Sequence, residues 1–197
     1  MFKKYILLIF LSLFYLHAFS QSSDLQQFNY KRLEINKIGM LTLGGWALCN
    51  IGTAALYIGK TSGSNKHFHQ MNLYWNLINV TIAGLGYYSA VSSEPGSFSL
   101  VNSIKEQYGI EKILLLNAGL DVGYIMGGLY LSERSKNSQN RESMFKGFGQ
   151  SIILQGGFLL LLDVSLYLIH HANEKVLKNI IEHVSFNGTT IQLVLHI

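Results

Sequence analysis

Asp121 is the residue whose type and setting most demand a chemical account. It lies in the middle of an apolar, glycine-rich run over residues 113–131 that contains no lysine or arginine. A carboxylate at the centre of a membrane helix costs about 2.5–3.5 kcal/mol on insertion scales. It must therefore be protonated, hydrogen-bonded by amides and phenols, or paired with a bound cation. Two chemistries follow: a proton or cation site, or a polar clamp between helices. Asp163, in the run over residues 147–170, poses the same choice. Asn72, Asn76 and Asn79, with His69 before them, recur at spacings of three and four and so share one helical stripe, with Trp75 beside it. Asn50 lies near the middle of its own apolar run. An unpaired amide facing lipid would cost several kcal/mol, so the stripe must face protein. Asn50, Asn72, Asn76, Asn79, Asp121 and Asp163 are the candidate ligand or ion residues, and a clamp is the simpler reading of the asparagines.

Other chemistries find less support. His67 and His69 begin one run, while His170 and His171 end another. A haem held in a helical bundle needs two ligands at one depth, and adjacent histidines point about 100° apart on a helix. Neither a metal nor a cofactor is expected. No nucleophile elbow, phosphate loop, HExxH or paired-cysteine motif is present, so no residue is assigned a catalytic role and nothing requires an enzyme. Cys49 is the one cysteine, which excludes an internal disulfide. The net charge of +4 resides in short segments between the apolar runs, without interleaved aromatics, and does not point to nucleic acid.

The elements that must position these residues are membrane helices. Only 13% of the 197 residues are charged and 49% are hydrophobic. The apolar residues gather at 38–59, 69–91, 113–131 and 147–170, each near the roughly 20 residues that span a hydrocarbon core. The expected fold is an all-α membrane protein: a four-transmembrane-helix bundle over residues 38–171. Residues 1–20, with Lys3 and Lys4 before a short apolar core and Ala18-Phe19-Ser20 after it, read as a secretory signal peptide. Residues 21–37 would then be an exported segment, with Leu25, Phe28 and Leu33 spaced as in a short interfacial helix. Residues 172–197 would be an exported helix extension followed by a β segment, because Ile191, Leu193, Leu195 and Ile197 alternate after a turn-like Asn187-Gly188. Arg134, Lys136, Arg141 and Lys146 favour a cytoplasmic loop by the positive-inside rule. The expected location is the inner membrane of a Gram-negative bacterium, with both mature termini in the periplasm.

Glycines mark candidate packing faces. Gly45 and Gly52 share a face of the first run, and Gly119, Gly123 and Gly127 form a small-xxx-small series in the third. Residues 47–52 resemble residues 118–123, which fits either two repeated helical hairpins or a chance likeness of glycine-rich helices. The third-run face suits either packing within the chain or a homodimer seam.

The segments Gly45-Trp46-Ala47 through Asn50-Ile51-Gly52, Met71-Asn72-x-x-Trp75-Asn76 and Gln155-Gly156-Gly157-Phe158-Leu159, with Asp163, are similar to a family of small exported four-helix membrane proteins from Bacteroidota, a domain of unknown function. The resemblance implies the membrane topology over residues 36–197 and implies no substrate. Two functional readings remain. One is a structural or assembly subunit, held by polar clamps, whose partners are the lipid bilayer and a second copy or another membrane protein. The alternative is a bundle that binds or transports a small ligand, proton or cation through Asp121 and the asparagine stripe; a lipid-modifying enzyme is a weaker third. The topology is testable by labelling. In a Cys49→Ser background, cysteines replacing Ser62 or Asn137 should resist an impermeant thiol reagent in intact spheroplasts, and one replacing Ser97 should react. Labelling at position 137 would reverse the orientation.

Overall fold

The computed structural model describes the backbone over residues 2–195 and the side chains over residues 23–181. Four helices follow in order: α1 Phe2–Tyr57, α2 Gly63–Ser92, α3 Leu100–Ser135 and α4 Glu142–Leu195, with a 3-10 turn Pro95–Ser97 before α3. Each boundary has a local cause. Gly63 takes φ +56 at the α1–α2 turn, a left-handed conformation suited to glycine. Pro95 starts the 3-10 turn because its fixed φ suits a first position. Ser99 caps α3 by accepting a hydrogen bond from the backbone N–H of Asn102.

The bundle is apolar outside and polar inside. Leu85, Leu116, Met126, Leu161 and Leu168 are all more than half exposed, whereas Asn76, Gln107, Ser151 and Gln155 are completely buried. Water would favour the reverse distribution, and lipid favours this one. Three helices are long and apolar enough to cross a membrane: Ser23–Tyr57, Leu100–Ser135 and Glu142–Ile181. The expectation of four such helices is corrected for α2, whose asparagines and histidines lower its hydropathy. It buries Asn72, Asn76 and Asn79 between its neighbours.

The three long stretches contain 35, 36 and 40 residues. At 1.5 Å per residue they reach about 52–60 Å, well beyond a hydrocarbon core of about 30 Å. The excess lies at the end away from the two hairpin turns. There Phe28 of α1 packs with Leu177 and Ile180 of α4, flanked by Leu100 and Ile104 of α3. Leu25, Phe28 and Leu33 therefore belong to a continuous α1 and not to a separate interfacial helix. The C-terminal β segment is also corrected, since α4 continues as helix through Leu195 and the described residues contain no strand. Extending an existing helix gains one hydrogen bond per residue fixed, while a lone two-stranded hairpin is marginal.

Small residues set the closest approach, between α3 and α4. A Cβ on Gly128 would stand 2.7 Å from the Gly149 carbonyl oxygen, and one on Gly156 would stand 3.1 Å from that of Asp121. Gly147 is pressed in the same way against the Ser64 and Phe68 backbone of α2. Gly45, Gly52, Gly119, Gly123 and Gly127 have nothing within 4 Å of their Cβ positions, so among the described residues no other helix packs closely on them. Gly149→Val should therefore lower the melting temperature in detergent by the equivalent of about 3 kcal/mol or more, as overpacking against backbone does. Gly119→Val should leave the melting temperature of the monomer within about 0.5 kcal/mol of wild type. Circular dichroism during heating checks both.

Candidate functional site

Gln155 is the hub of the interior. Its Oε1 accepts a 2.8 Å hydrogen bond from the Trp46 indole. Its Nε2 donates to Asn50 Oδ1 at 3.2 Å and to Asn72 Oδ1 at 2.9 Å. Ser151 Oγ also donates to Asn72 Oδ1, at 2.6 Å. The amide thus uses both of its protons and its acceptor, and joins α1, α2 and α4 at one level. Asn50 Nδ2 returns to the Trp46 carbonyl, and Asn76 Nδ2 to the Asn72 carbonyl, both one turn back at 2.8 Å. The Trp46 ring stacks on Phe158 at 4.0 Å with the planes 5° apart, which fixes the indole for its bond to Gln155.

Asp121 and Asp163 meet across the α3–α4 contact. Side chains lean toward the N-terminus of their own helix, so on antiparallel helices the two carboxyls lean toward each other. They hydrogen-bond to one another, which requires a proton between them. Asp121 is 2% exposed. Both acids line a cavity of about 780 Å³ walled by residues of all four helices, on the side where α2 and α3 stand apart. These two helices nowhere approach within 8 Å between Cα atoms. Trp75 and Tyr124 bridge the gap edge to face, at 4.9 Å between ring centroids. Asn79 and Asn117 add amides beside the acids, while Met40, Ile82, Ile110, Leu114 and Leu166 form apolar walls.

Arg32 and His170 line the other end of the cavity. Arg32 is 1% exposed, donates to Asn29 Oδ1 at 3.2 Å and stands 3.6 Å from Glu106 Oε2. Its guanidinium lies over the Phe98 ring at 4.7 Å, and its Nε is buried without a partner. Asn29 Nδ2 donates to Ser103 Oγ, tying α1 to α3 at this level. His170 is buried, and its Nδ1 likewise has no partner. The cavity is therefore amphipathic along its length: a cation at one end, a hydrocarbon middle and a carboxyl pair with amides toward the hairpin end.

A family of unknown function, DUF6992, matches residues 42–164. The chain belongs to that family. The match takes in the Gln155 network, both aspartates and the Trp75–Tyr124 bridge. It begins after the residue 36 expected from the resemblance and ends before the C-terminus. No curated protein and no solved structure matches the chain.

The six candidate residues divide between two places in this DUF6992 bundle. Asn50 and Asn72 join through Gln155, with Asn76 bonded beneath, whereas Asp121, Asp163 and Asn79 line the cavity. Asn50 and Asp121, at matching positions of the α1 and α3 likeness, thus have different partners. Gln155 is legible in the sequence as an interior polar residue though not as a ligand candidate, and nothing in the sequence singles out Ser151, a small hydroxyl common in membrane helices. Arg32 was missing because it lies outside the apolar runs, where it reads as an ordinary loop charge. Gln155→Leu should leave the Trp46 indole and the Asn50 and Asn72 amides without that partner. At about 0.6 kcal/mol per membrane hydrogen bond, three lost bonds predict destabilisation of about 2 kcal/mol. A shifted tryptophan emission should accompany it, and Gln155→Glu should retain part of the network. Thermal melts with fluorescence detection check this.

Proposed function

We propose that this chain is an integral membrane protein whose bundle binds an amphipathic small molecule in the cleft between α2 and α3. The polar end of the ligand, carrying an amine or hydroxyl donor, sits against Asp121 and Asp163, and its apolar part lies along Met40, Ile82 and Leu166. The observation that carries the reading is the Asp121 and Asp163 carboxyl pair on the wall of a cavity of about 780 Å³, with Arg32 Nε and His170 Nδ1 buried without partners in residues at its other end. Buried polar groups in a finished fold are otherwise paired, and this volume lies within the range of small-molecule sites, roughly 300–1,000 Å³. Entry is lateral, from the bilayer, through the gap between α2 and α3. Residues 1–20 act as an export signal, the end carrying Arg32 faces the periplasm, and the membrane is the inner one.

The assembly-subunit reading has less behind it. The Gln155 amides already satisfy one another within the chain and need no partner protein, whereas the cleft has polar atoms left over. Native mass spectrometry of gently solubilised protein distinguishes the readings. Wild type should carry a co-purifying amphipathic molecule in the hundreds of daltons. Ile82→Trp, which fills the cleft wall, should lose it while keeping the wild-type melting temperature to within about 1 kcal/mol. Asp121→Leu should weaken retention by tenfold or more. A ligand-free wild type that instead holds a second protein in fixed stoichiometry would reverse the assignment.

A further inference from the structure

We propose a divalent transition-metal site formed by Glu111, His171 and Glu174 at the end of the bundle away from the hairpin turns. This inference is independent of the cleft. Glu111 comes from α3 and the other two from adjacent turns of α4, and one ligand atom of each lies within 4.8 Å of the others. His171 Nδ1 stands 3.1 Å from Glu174 Oε2 and 3.7 Å from Glu111 Oε2. A tetrahedral ion with bonds of about 2.1 Å separates its donors by about 3.4 Å, and these two spacings bracket that value.

The surroundings hold each group for such a role. Gln107 Nε2 donates to Glu111 Oε1 at 2.8 Å, and Lys178 Nζ stands 3.3 Å from Glu174 Oε1. Each carboxylate therefore has its outer oxygen engaged and turns its second oxygen toward the imidazole. The Tyr108 hydroxyl also bonds Glu174. Tyr167 stacks on the imidazole at 5.7 Å with the planes 15° apart, orienting Nδ1 toward the acids. One Nδ1 proton can serve only one of the two carboxylate oxygens that face it, whereas an ion would bind all three groups at once. A second observation points the same way. Gln107 is completely buried with its amide against Glu111, and its Oε1 has no partner. A water on the metal would be a strong donor for that acceptor. Glu111 and Glu174 are 7% and 3% exposed, so these are not solvated surface acids, while the half-exposed His171 gives an ion a way in. Two carboxylates and one imidazole suit zinc, manganese or ferrous iron.

Calorimetric titration of the full-length, chelator-treated protein in detergent with zinc chloride tests the proposal. One zinc ion should bind per chain, and the cobalt(II) form should show ligand-field absorption of a low-coordinate nitrogen–oxygen site. His171→Ala, which removes the nitrogen ligand, should weaken binding at least tenfold. Glu174→Gln should do the same to binding, and Asp121→Asn should not. Absence of stoichiometric zinc binding and of the cobalt bands in wild type would overturn the site. So would equal binding by wild type, His171→Ala and Glu174→Gln.

Discussion

The bundle is organised by one constraint: inside a membrane a polar side chain has only other protein groups, or a ligand, to bond with. Gln155 shows how the constraint is met. Its amide donates both of its protons and accepts a third bond, to three residues on two other helices. Because those bonds run to α1 and α2, Gln155 fixes the relative rotation of three helices at one level. A leucine core would not, since lipid tails solvate leucine as well as another leucine does. The polar interior supplies specificity where the hydrophobic effect supplies little.

The constraint also explains what could be read from the sequence. Polar residues recurring at three and four within an apolar run had to face inward, and Asn72, Asn76 and Asn79 are all buried. The all-helical core and its connectivity follow from the same runs. What the pattern could not show is pairing between helices. Nothing in the spacing of Asn50, Asn72 and Gln155 says that they meet, because a helix face has a direction but no address. The outer end was misread for a different reason. Arg32, Glu111 and Glu174 look like loop charges until α1, α3 and α4 are seen to run about 20 Å past the hydrocarbon core. There they are buried, at the end of the bundle that also holds the Phe28 and Leu177 cluster, instead of being solvated. Likewise the spacing of His170 and His171 cannot show that a carboxylate on a facing helix stands against the second of them.

Residue size decides where the bundle is tight and where it opens. α3 and α4 lie close because Gly128, Gly149 and Gly156 put backbone against backbone. That closeness brings Asp121 and Asp163 together, because carboxyl groups are short and would not meet across a leucine-lined interface. On the other side of α3 the sizes reverse. Trp75 and Tyr124 occupy the space where small residues would have allowed contact, so α2 and α3 stay apart. Away from that ring pair nothing comparable fills the gap, and a cavity follows. The glycines that draw α3 toward α4 and the rings that hold it off α2 therefore act together. They place an acidic pair on the wall of the cavity.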